Sequence, residues 1–378
     1  MNISIAIDAS RNRSGGARNH LIGILNAIDP TDLGIASVHV WSYRALLDAI
    51  PDKHWLIKHS PTLLEASLPI QVWWQYKHLP KEVTRHGCDV LLSTDAGTVC
   101  IYRPSVVMSR DMLSFEPGEI GRFGLSFERL RLWLLKHIQI RSLRRATGAL
   151  FLTNYASNVI QNFTGPLPRV EVIPHGINPS FRREPRTDVL KSSDNIRCVY
   201  VSNMDLYKHQ WIVIEAVSVL REQGLNVSLA LVGGGQGQGR VLTENAKLKY
   251  DPTGEFIEIL EAVPHHEIPR ILDTADIFIF ASSCENMPNT LVEAMAAALP
   301  IACAARGPMP EVLEDGGVYF DPESSSSIAD AIRSLVEDDA LRGRVSKRAG
   351  ELSLKYSWER CASETWDYLI RVATQSSS

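Results

Sequence analysis

Apolar, β-branched runs alternate with helical patterns along most of this chain, and that alternation restricts its fold more than any other feature. Several of the runs are apolar throughout, as expected for parallel strands that helices cover on both faces. The pattern therefore predicts the α/β class, with doubly wound parallel sheets. The predicted strands are residues 3–7, 36–41, 89–94, 105–109, 148–153, 169–174, 196–203, 227–233, 256–260, 276–282 and 300–305, and the predicted helices of the second half are 210–223, 265–273, 290–298 and 325–336.

A polar stretch without periodicity, residues 179–195, divides this pattern into two halves of similar length. We therefore predict one Rossmann-like domain over 1–177, a linker over 178–195 and a second Rossmann-like domain over 196–355. The aromatic-rich segment 356–378 predicts a last helix, and in this fold class the last helix often packs back on the first domain. Open α/β sheets bind ligands outside the carboxyl ends of their strands, so two such domains facing a cleft are expected to bind a ligand there.

Composition and charge exclude several classes of protein. The 378 residues are 45% hydrophobic and carry a net charge of −4, so there is no global basic footprint for nucleic acid. Six scattered cysteines form no CxxC pair, and no histidines recur at metal-ligand spacing, which argues against a disulfide framework or a zinc site. The start of the chain lacks a signal-peptide pattern, and no apolar run of about 18 residues occurs. We expect a soluble, cytoplasmic protein.

The stretch SSCENMPNTLVEAM, residues 282–295, places a polar loop before a helix of strong propensity. Asn289 or Thr290 is suited to cap that helix, and the N–H groups of its first turn would attract a phosphate. Glu285 and Glu293 could then accept hydrogen bonds from hydroxyls on either side of a pyrophosphate, an arrangement that fits a nucleotide sugar. The alternative is that Glu285 is a solvated loop residue and Glu293 a first-turn acid favoured by the helix dipole.

Glu285 and Glu293 have the spacing of an E-x7-E motif, and residues 293–322 continue in the manner of one enzyme family. The sequence resembles the retaining GT-B glycosyltransferases with this motif (family 4, glycosyl transferases group 1), most densely over 196–340. The resemblance implies the GT-B fold, with two Rossmann-like domains facing a cleft. It also implies that Glu285 lies near the donor sugar, that Glu293 binds the nucleotide ribose, and that Asn289 and Thr290 offer donors to the pyrophosphate.

Two further stretches match donor-site features that the resemblance implies. Gly15 and Gly16, between the first strand and a helix, would let backbone approach a phosphate without interference from a Cβ; a simple tight turn is the alternative. Lys208 matches a family lysine that neutralises pyrophosphate, and a solvated surface lysine is its alternative. Asn203 stands where the family usually has an arginine, so one cation of the usual pair is missing.

Arg110 and Asp111 follow a strand of the first domain, at a point where many members of the family have His-Asp. Arginine does not titrate near neutrality, so Arg110 would hydrogen-bond a sugar hydroxyl or a phosphate without exchanging protons. We expect Arg110 or Asp111 to line the cleft.

The glycine-rich stretch 231–240 cannot hold a strict GxGxxG fingerprint. We therefore predict a flexible cleft loop with Gly233 and Gly234 near the donor, and no well-supported helix immediately after it. PHGIN, residues 174–178, matches the hinge motif of the family, and His175 is expected to be a hinge residue satisfied by backbone.

Residues 122–145 carry seven Lys/Arg against one Glu, interleaved with Leu, Ile, Phe and Trp. A basic amphipathic helix of this kind can lie on an anionic membrane surface. The alternative is a core-facing helix with a solvated basic face.

The sequence therefore predicts a retaining glycosyltransferase that moves a sugar from a UDP- or GDP-linked donor to a glycan or lipid-linked acceptor. No Asp-x-Asp pair occurs, so we expect no metal clamp on the diphosphate and no cofactor. Lys208, the helix start at 289–290 and the glycines at 15–16 would meet the charge of the leaving group. Two rival hypotheses are an NAD-dependent oxidoreductase, whose glycine fingerprint is absent, and a non-catalytic sugar-nucleotide-binding subunit.

Overall fold

The computed structural model describes residues 3–13, 15–185 and 195–375, and the chain forms two compact units. The first unit combines Met1–Gly176 with Tyr356–Ser378, and the second unit is Ile177–Lys355. The chain therefore leaves the first unit once and returns to it for its last helix.

A sheet of seven parallel strands forms the centre of the first unit. The strands are β1 (Ile3–Asp8), β2 (Ile35–Trp41), β3 (Leu56–His59), β4 (Val90–Ser93), β5 (Ser105–Met108), β6 (Gly148–Phe151) and β7 (Val170–Val172). Their spatial order is β3-β2-β1-β4-β5-β6-β7, so the direction of winding reverses between β1 and β4. β4, β5 and β6 are buried along their whole length, which explains why their sequences are mostly apolar.

Six helices connect these strands. They are α1 (Gly15–Ala27), α2 (Arg44–Leu47), α3 (Leu68–Lys77), α4 (Leu79–Arg85), α5 (Phe127–Arg145) and α6 (Asn154–Thr164). Side chains cap the two helices that precede and follow β6: Ser126 Oγ accepts from the N–H of Arg129 at the start of α5, and Thr153 Oγ1 accepts from the N–H of Ala156 at the start of α6.

The second unit repeats this plan with six parallel strands. They are β8 (Ile196–Val201), β9 (Val227–Val232), β10 (Ile257–Leu260), β11 (Ile277–Phe280), β12 (Ile301–Ala304) and β13 (Val318–Phe320), in the spatial order β10-β9-β8-β11-β12-β13. The winding reverses between β8 and β11. The helices are α7 (Gln210–Glu222), α8 (Gln238–Tyr250), α9 (Ile268–Leu272), α10 (Asn289–Ala296), α11 (Met309–Leu313), α12 (Ser325–Glu337) and α13 (Asp339–Ser353).

The last helix, α14 (Trp358–Gln375), packs within the first unit against α1 and strands β1, β4 and β5. Trp366 on α14 is fully buried. Gly23 on α1 is required by this packing, because a Cβ there would lie 2.4 Å from the ring of Trp358. Tyr368 donates its hydroxyl hydrogen to the backbone oxygen of Arg169, next to β7. The helix thus closes the first unit from a distant part of the sequence.

All eleven predicted strands are present, and the structure adds the short strands β3 and β13, whose brief apolar runs gave no clear period. A helix does follow the glycine-rich stretch, contrary to the weak support that the sequence gives for one there. The chain turns at Gly237, whose φ is 89°, and α8 begins at the next residue because a run of good helix formers follows. Of the predicted linker, residues 178–185 belong to the second unit, and residues 186–194 lie outside the described residues.

The packing of α14 leads to a prediction for Trp366→Ala. Removing this fully buried indole leaves a cavity, so we expect the free energy of unfolding of the first unit to fall by about 3–5 kcal/mol. Urea unfolding of Trp366→Ala and of the neighbouring exposed variant Asp367→Ala measures the difference. Equal unfolding midpoints for the two variants would contradict the packing described above.

Candidate active site

The carboxyl ends of β8 and β11 form the point where winding reverses in the second sheet. The two strands pair through Cys198 and Val199 of β8, and the chain leaves them in opposite directions, which opens a crevice between the following loops. The loop after β8 includes a short 3-10 helix, Leu206–Lys208. It touches the loop after β11, because the N–H of Ser283 donates to the backbone oxygen of Tyr207 at 2.8 Å.

Lys208 and Glu285, both predicted site residues, form an ion pair between these loops. Their side chains are only 12% and 15% exposed. The Lys208 Nζ also lies 5.1 Å from the centre of the Tyr207 ring and 5.7 Å from that of Phe280, within the range of cation–π attraction. An ammonium carries three N–H donors, so Lys208 retains donors for an acceptor other than Glu285.

Asn289 and Thr290 are the first two residues of α10, immediately after the loop that carries the ion pair. The prediction that one of them caps the helix is wrong: Pro288 occupies the cap position, and α10 has no side-chain cap hydrogen bond. The N–H of Val292 already donates to the oxygen of Pro288 at 3.1 Å, so the first turn begins one residue earlier than a cap at Asn289 requires. Asn289 and Thr290 remain partly exposed at the positive end of the helix dipole.

Glu293 lies one turn further along α10, with its side chain 10% exposed. Its Oε1 is 2.7 Å from Nε2 of His265, which follows β10. This hydrogen bond raises the pKa of His265 above its usual value, against a smaller opposing effect of burial. The other oxygen, Oε2, is buried and has no hydrogen-bond partner among residues 3–13, 15–185 and 195–375. A buried carboxylate oxygen in that state can accept a hydrogen bond from a ligand or a water molecule.

The glycine-rich loop after β9 packs directly on the loop after β8. Gly233 has a φ of 144°, and a Cβ on it would lie 2.2 Å from the backbone oxygen of Ser202. The N–H of Met204 donates to the oxygen of Gly234 at 3.0 Å. Asn203, between these two contacts, has an exposed side chain. The predicted residues Asn203, Gly233 and Gly234 are therefore neighbours at the edge of the sheet that also carries Lys208.

In the first unit, three further predicted residues lie close together. Gly15 and Gly16 are the first residues of α1, which corrects the prediction of a glycine loop before it. The Arg110 Nη1 donates to the backbone oxygen of Ala17 at 3.2 Å, so its guanidinium lies against the start of the same helix. Burial lowers the pKa of Arg110 to about 10, which still leaves it protonated at neutral pH.

Asp111 and His175 are engaged in contacts within the first unit. The Asp111 Oδ1 accepts from the N–H of Leu113 at 3.0 Å, and Oδ2 accepts from Gln139 Nε2 on α5 at 3.3 Å. Burial raises the pKa of Asp111. The ring of His175 stacks on that of His20, with centroids 4.5 Å apart. Asp111 thus connects the loop after β5 to α5, and His175 packs against α1.

Sequence reasoning missed three residues at the candidate site: Tyr207 and His209 beside the ion pair, and His265 beside Glu293. The His209 ring nitrogen Nε2 lies 2.9 Å from Ser283 Oγ and joins the two loops a second time. All three residues follow the carboxyl ends of predicted strands. That position is the one signal in the sequence that could have identified them.

Comparison with known protein families finds a match for most of the second unit. Residues 181–351 match the family model described as Glycosyl transferases group 1. The matched range contains the Lys208–Glu285 pair, Glu293 and the start of α10.

Among curated proteins, D-inositol 3-phosphate glycosyltransferase of Nocardioides sp. is 26% identical over 239 residues, which are 58% of this chain and 52% of that protein. The chain spans about half the length of the curated relatives of this kind that it matches.

Solved structures match over the whole chain. Sucrose-phosphate synthase of Thermosynechococcus elongatus has a TM-score of 0.75 at 16% identity, with 100% of both chains covered. HepE of Anabaena, solved in complex with UDP-glucose, has a TM-score of 0.70 at 18% identity, with 97% of this chain and 100% of that chain covered. At these identities the likeness establishes the fold, which is the GT-B fold of glycosyltransferases.

The contact between His265 and Glu293 leads to a prediction about pH. Because the pKa of His265 rises on folding, the paired imidazolium stabilises the second unit fully below pH 6.5 and progressively less as the pH rises through the raised value. We expect His265→Gln to lower the thermal midpoint of unfolding more at about pH 6 than at about pH 9. The control is His266→Gln, whose side chain is 82% exposed. If the thermal midpoint of His265→Gln fell by the same amount at both pH values, the result would contradict the pairing of His265 with Glu293.

Proposed function

We propose that this chain is a retaining glycosyltransferase of family 4, with Glu285 and Glu293 as its E-x7-E acids. It would move a sugar from a nucleotide-sugar donor to a hydroxyl of a glycan or lipid-linked acceptor, in bacterial polysaccharide or glycolipid biosynthesis. One observation carries the proposal: the Lys208–Glu285 pair and the partnerless oxygen of Glu293 flank a single helix start. The likeness to HepE, which was solved with UDP-glucose, supports a donor of this class.

The diphosphate of the donor would bind between Lys208 and the start of α10. The ammonium would neutralise the charge that develops on the leaving phosphate, and the backbone N–H of Thr290 and the side-chain amide of Asn289 would bind its oxygens. Glu285 holds the Lys208 ammonium in place through their ion pair. Its carboxylate can also accept a hydrogen bond from a hydroxyl of the donor sugar. The neighbouring Asn203, Gly233 and Gly234 would contact the same phosphates.

Glu293 would bind the ribose. Its Oε1 is occupied by His265, which leaves Oε2 to accept from a ribose hydroxyl. That hydrogen bond would satisfy an acceptor that is otherwise buried without a partner. Burying an acceptor without a hydrogen bond costs free energy, and binding of the ribose would remove that cost. The sugar would then lie on the Glu285 side of the helix start and the nucleoside on the Glu293 side.

We propose a same-face mechanism for the transfer. The bond between the anomeric carbon and the phosphate oxygen breaks, the acceptor oxygen bonds to the same face of that carbon, and the acceptor proton passes to the departing phosphate. Lys208 and the helix start meet the charge of the leaving group in this scheme, so no cofactor and no divalent metal takes part. Arg110, next to Gly15 and Gly16, would hydrogen-bond a hydroxyl or phosphate of a substrate.

The surface of α5 in the first unit supports a lipid-linked acceptor. No helix in the described ranges is long and apolar enough to cross a membrane. α5 buries one stripe, with Leu132 and Leu143 inside, but it exposes a second apolar stripe outward. Phe127, at 80% exposure, heads that stripe, which continues through Leu130, Leu134 and Ile138. The spacing of three and four residues puts these side chains on one face of the helix.

Basic and aromatic side chains surround this exposed stripe. Arg141 and Arg145 lie at its end and share a cavity with Trp73 and Tyr76 of α3, both about half exposed. Exposed apolar and aromatic groups beside arginines match the interface of an anionic bilayer, where rings sit at the headgroups and cations meet lipid phosphates. We propose that this surface holds the protein at the cytoplasmic face of a membrane, near a lipid-linked acceptor.

The first test of the donor site is nucleotide binding without divalent metal. We expect UDP or GDP, but not NAD, to raise the thermal midpoint of the purified chain. Glu293→Gln should weaken nucleotide affinity about 10-fold, because a charge-assisted hydrogen bond is lost. Lys208→Met should lower turnover about 100- to 1,000-fold, because the leaving group loses its cation.

Two measurements test the mechanism. NMR of the first product should show that the anomeric configuration is retained, and the chain should remain active in excess chelator.

Two controls separate binding from folding. Glu337→Gln removes an exposed carboxylate of the same unit and should change nothing. Lys208→Met alone leaves Glu285 unpaired and mostly buried, so it also lowers stability; the double variant Lys208→Met/Glu285→Gln should regain stability without regaining turnover. Stabilisation by NAD alone would contradict the proposal. Binding of a nucleotide sugar without turnover on any acceptor would favour the non-catalytic subunit instead.

The membrane surface is tested separately by sedimentation with vesicles. We expect the chain to bind vesicles that contain phosphatidylglycerol and to dissociate from them at high salt. It should not bind vesicles of pure phosphatidylcholine. Leu134→Ser should weaken binding, whereas Leu248→Ser, a substitution of an exposed leucine on the second unit, should not. Equal binding of vesicles by the two variants would exclude the α5 surface as the membrane-binding surface.

A further inference from the structure

Three histidines that are distant in sequence come together at one edge of the first sheet. His39 is on β2, His59 ends the edge strand β3, and His86 follows α4. One ring nitrogen from each lies within 4.8 Å of those of the other two. The ring centroids are 5.3 Å apart for His39 and His59, 5.1 Å for His39 and His86, and 4.5 Å for His59 and His86. Nitrogens this close can share one metal ion at ~2.0–2.1 Å each after small ring rotations.

The strand register explains why two of the rings converge. Trp41 of β2 pairs with His59 of β3, so His39 and His59 are diagonal neighbours on the same face of the sheet. Their facing nitrogens, Nδ1 of His39 and Nε2 of His59, are 3.0 Å apart. The indole of Trp41 stacks on His59 at 4.5 Å and forms an apolar wall beside the cluster. These contacts restrict the rings before any ligand arrives.

A hydrogen bond between His39 and His59 would use one nitrogen of each ring, but it does not explain the approach of His86. That third ring follows α4, and its side chain is 31% exposed. Glu82, on the preceding turn of α4, places Oε2 3.7 Å from His86 Nε2.

We propose that His39, His59 and His86 bind one divalent transition-metal ion, with Glu82 as the carboxylate that completes the site. Three imidazoles select zinc, nickel, cobalt or copper over magnesium and calcium, which prefer oxygen ligands. Glu82 acts either as the fourth ligand or as the acceptor for the ring N–H of His86. The ion ties the edge strand β3, its neighbour β2 and the end of α4 together. Its role is structural and separate from the transfer proposed for the second unit.

The experiment uses the full chain without an affinity tag, stripped of metal and titrated with cobalt. We expect one cobalt per chain, with the visible absorption of a four-coordinate site, and displacement of that cobalt by zinc. His59→Gln and His86→Gln should each abolish the absorption. Glu82→Gln should weaken binding about 10- to 100-fold. Zinc should raise the thermal midpoint of the unaltered chain and not that of His86→Gln.

Two controls keep the result interpretable. His54→Gln removes an exposed histidine of the same unit, with a side chain 74% exposed, and should leave the cobalt spectrum unchanged. His86 is partly exposed, so His86→Gln should keep the circular dichroism and the metal-free midpoint of the parent chain. Stoichiometric binding that survives in His59→Gln/His86→Gln would overturn the proposal. So would an absence of cobalt binding by the parent chain.

Discussion

Parallel strand pairing is the constraint on which the rest of this structure depends. It places the carboxyl end of every strand in a sheet at the same edge, and in both sheets the winding reverses once, between β1 and β4 and between β8 and β11. In the second unit, the loops that leave β8 and β11 bring a lysine, two glutamates and a helix start to one edge of the sheet. Residues 77 positions apart in the chain, Lys208 and Glu285, are in contact for this reason.

The electrostatics of that edge suit a ligand with negative charge and hydroxyl groups. A lysine and a glutamate that are mostly buried neutralise each other, so neither is an isolated charge in a poorly solvated position. A diphosphate can share the ammonium without separating the pair, because the ammonium has donors to spare. Glu293 is arranged differently: His265 holds one of its oxygens and leaves the other as an acceptor. Glu285 and Glu293 therefore differ in their hydrogen-bonding surroundings.

The strands and the helix after Glu285 were predictable because local signals encode them. Continuous apolar runs identify buried parallel strands, and the run of good helix formers after Asn289 predicts α10. The cap of α10 was not predictable, since Pro288 takes a position that side-chain preference assigns to Asn289 or Thr290. His265 and the cluster of His39, His59 and His86 depend on which strands become neighbours. Pairing across 20 or more residues leaves no local pattern in the sequence.

The first unit is built from two separate stretches of chain, and this has a consequence for synthesis on the ribosome. The second unit is one uninterrupted stretch, Ile177–Lys355, so all of its strands and helices are available for folding once that stretch has left the ribosome. Synthesis of the first unit begins earlier, but the unit is incomplete until α14 has been made. Its strands β1, β4 and β5 therefore keep an apolar face uncovered until residues 358–375 have been synthesised. At about 5–20 residues per second, the delay lasts on the order of ten seconds or more. We therefore expect the nascent first unit, and not the second, to be the part of the protein that recruits chaperones.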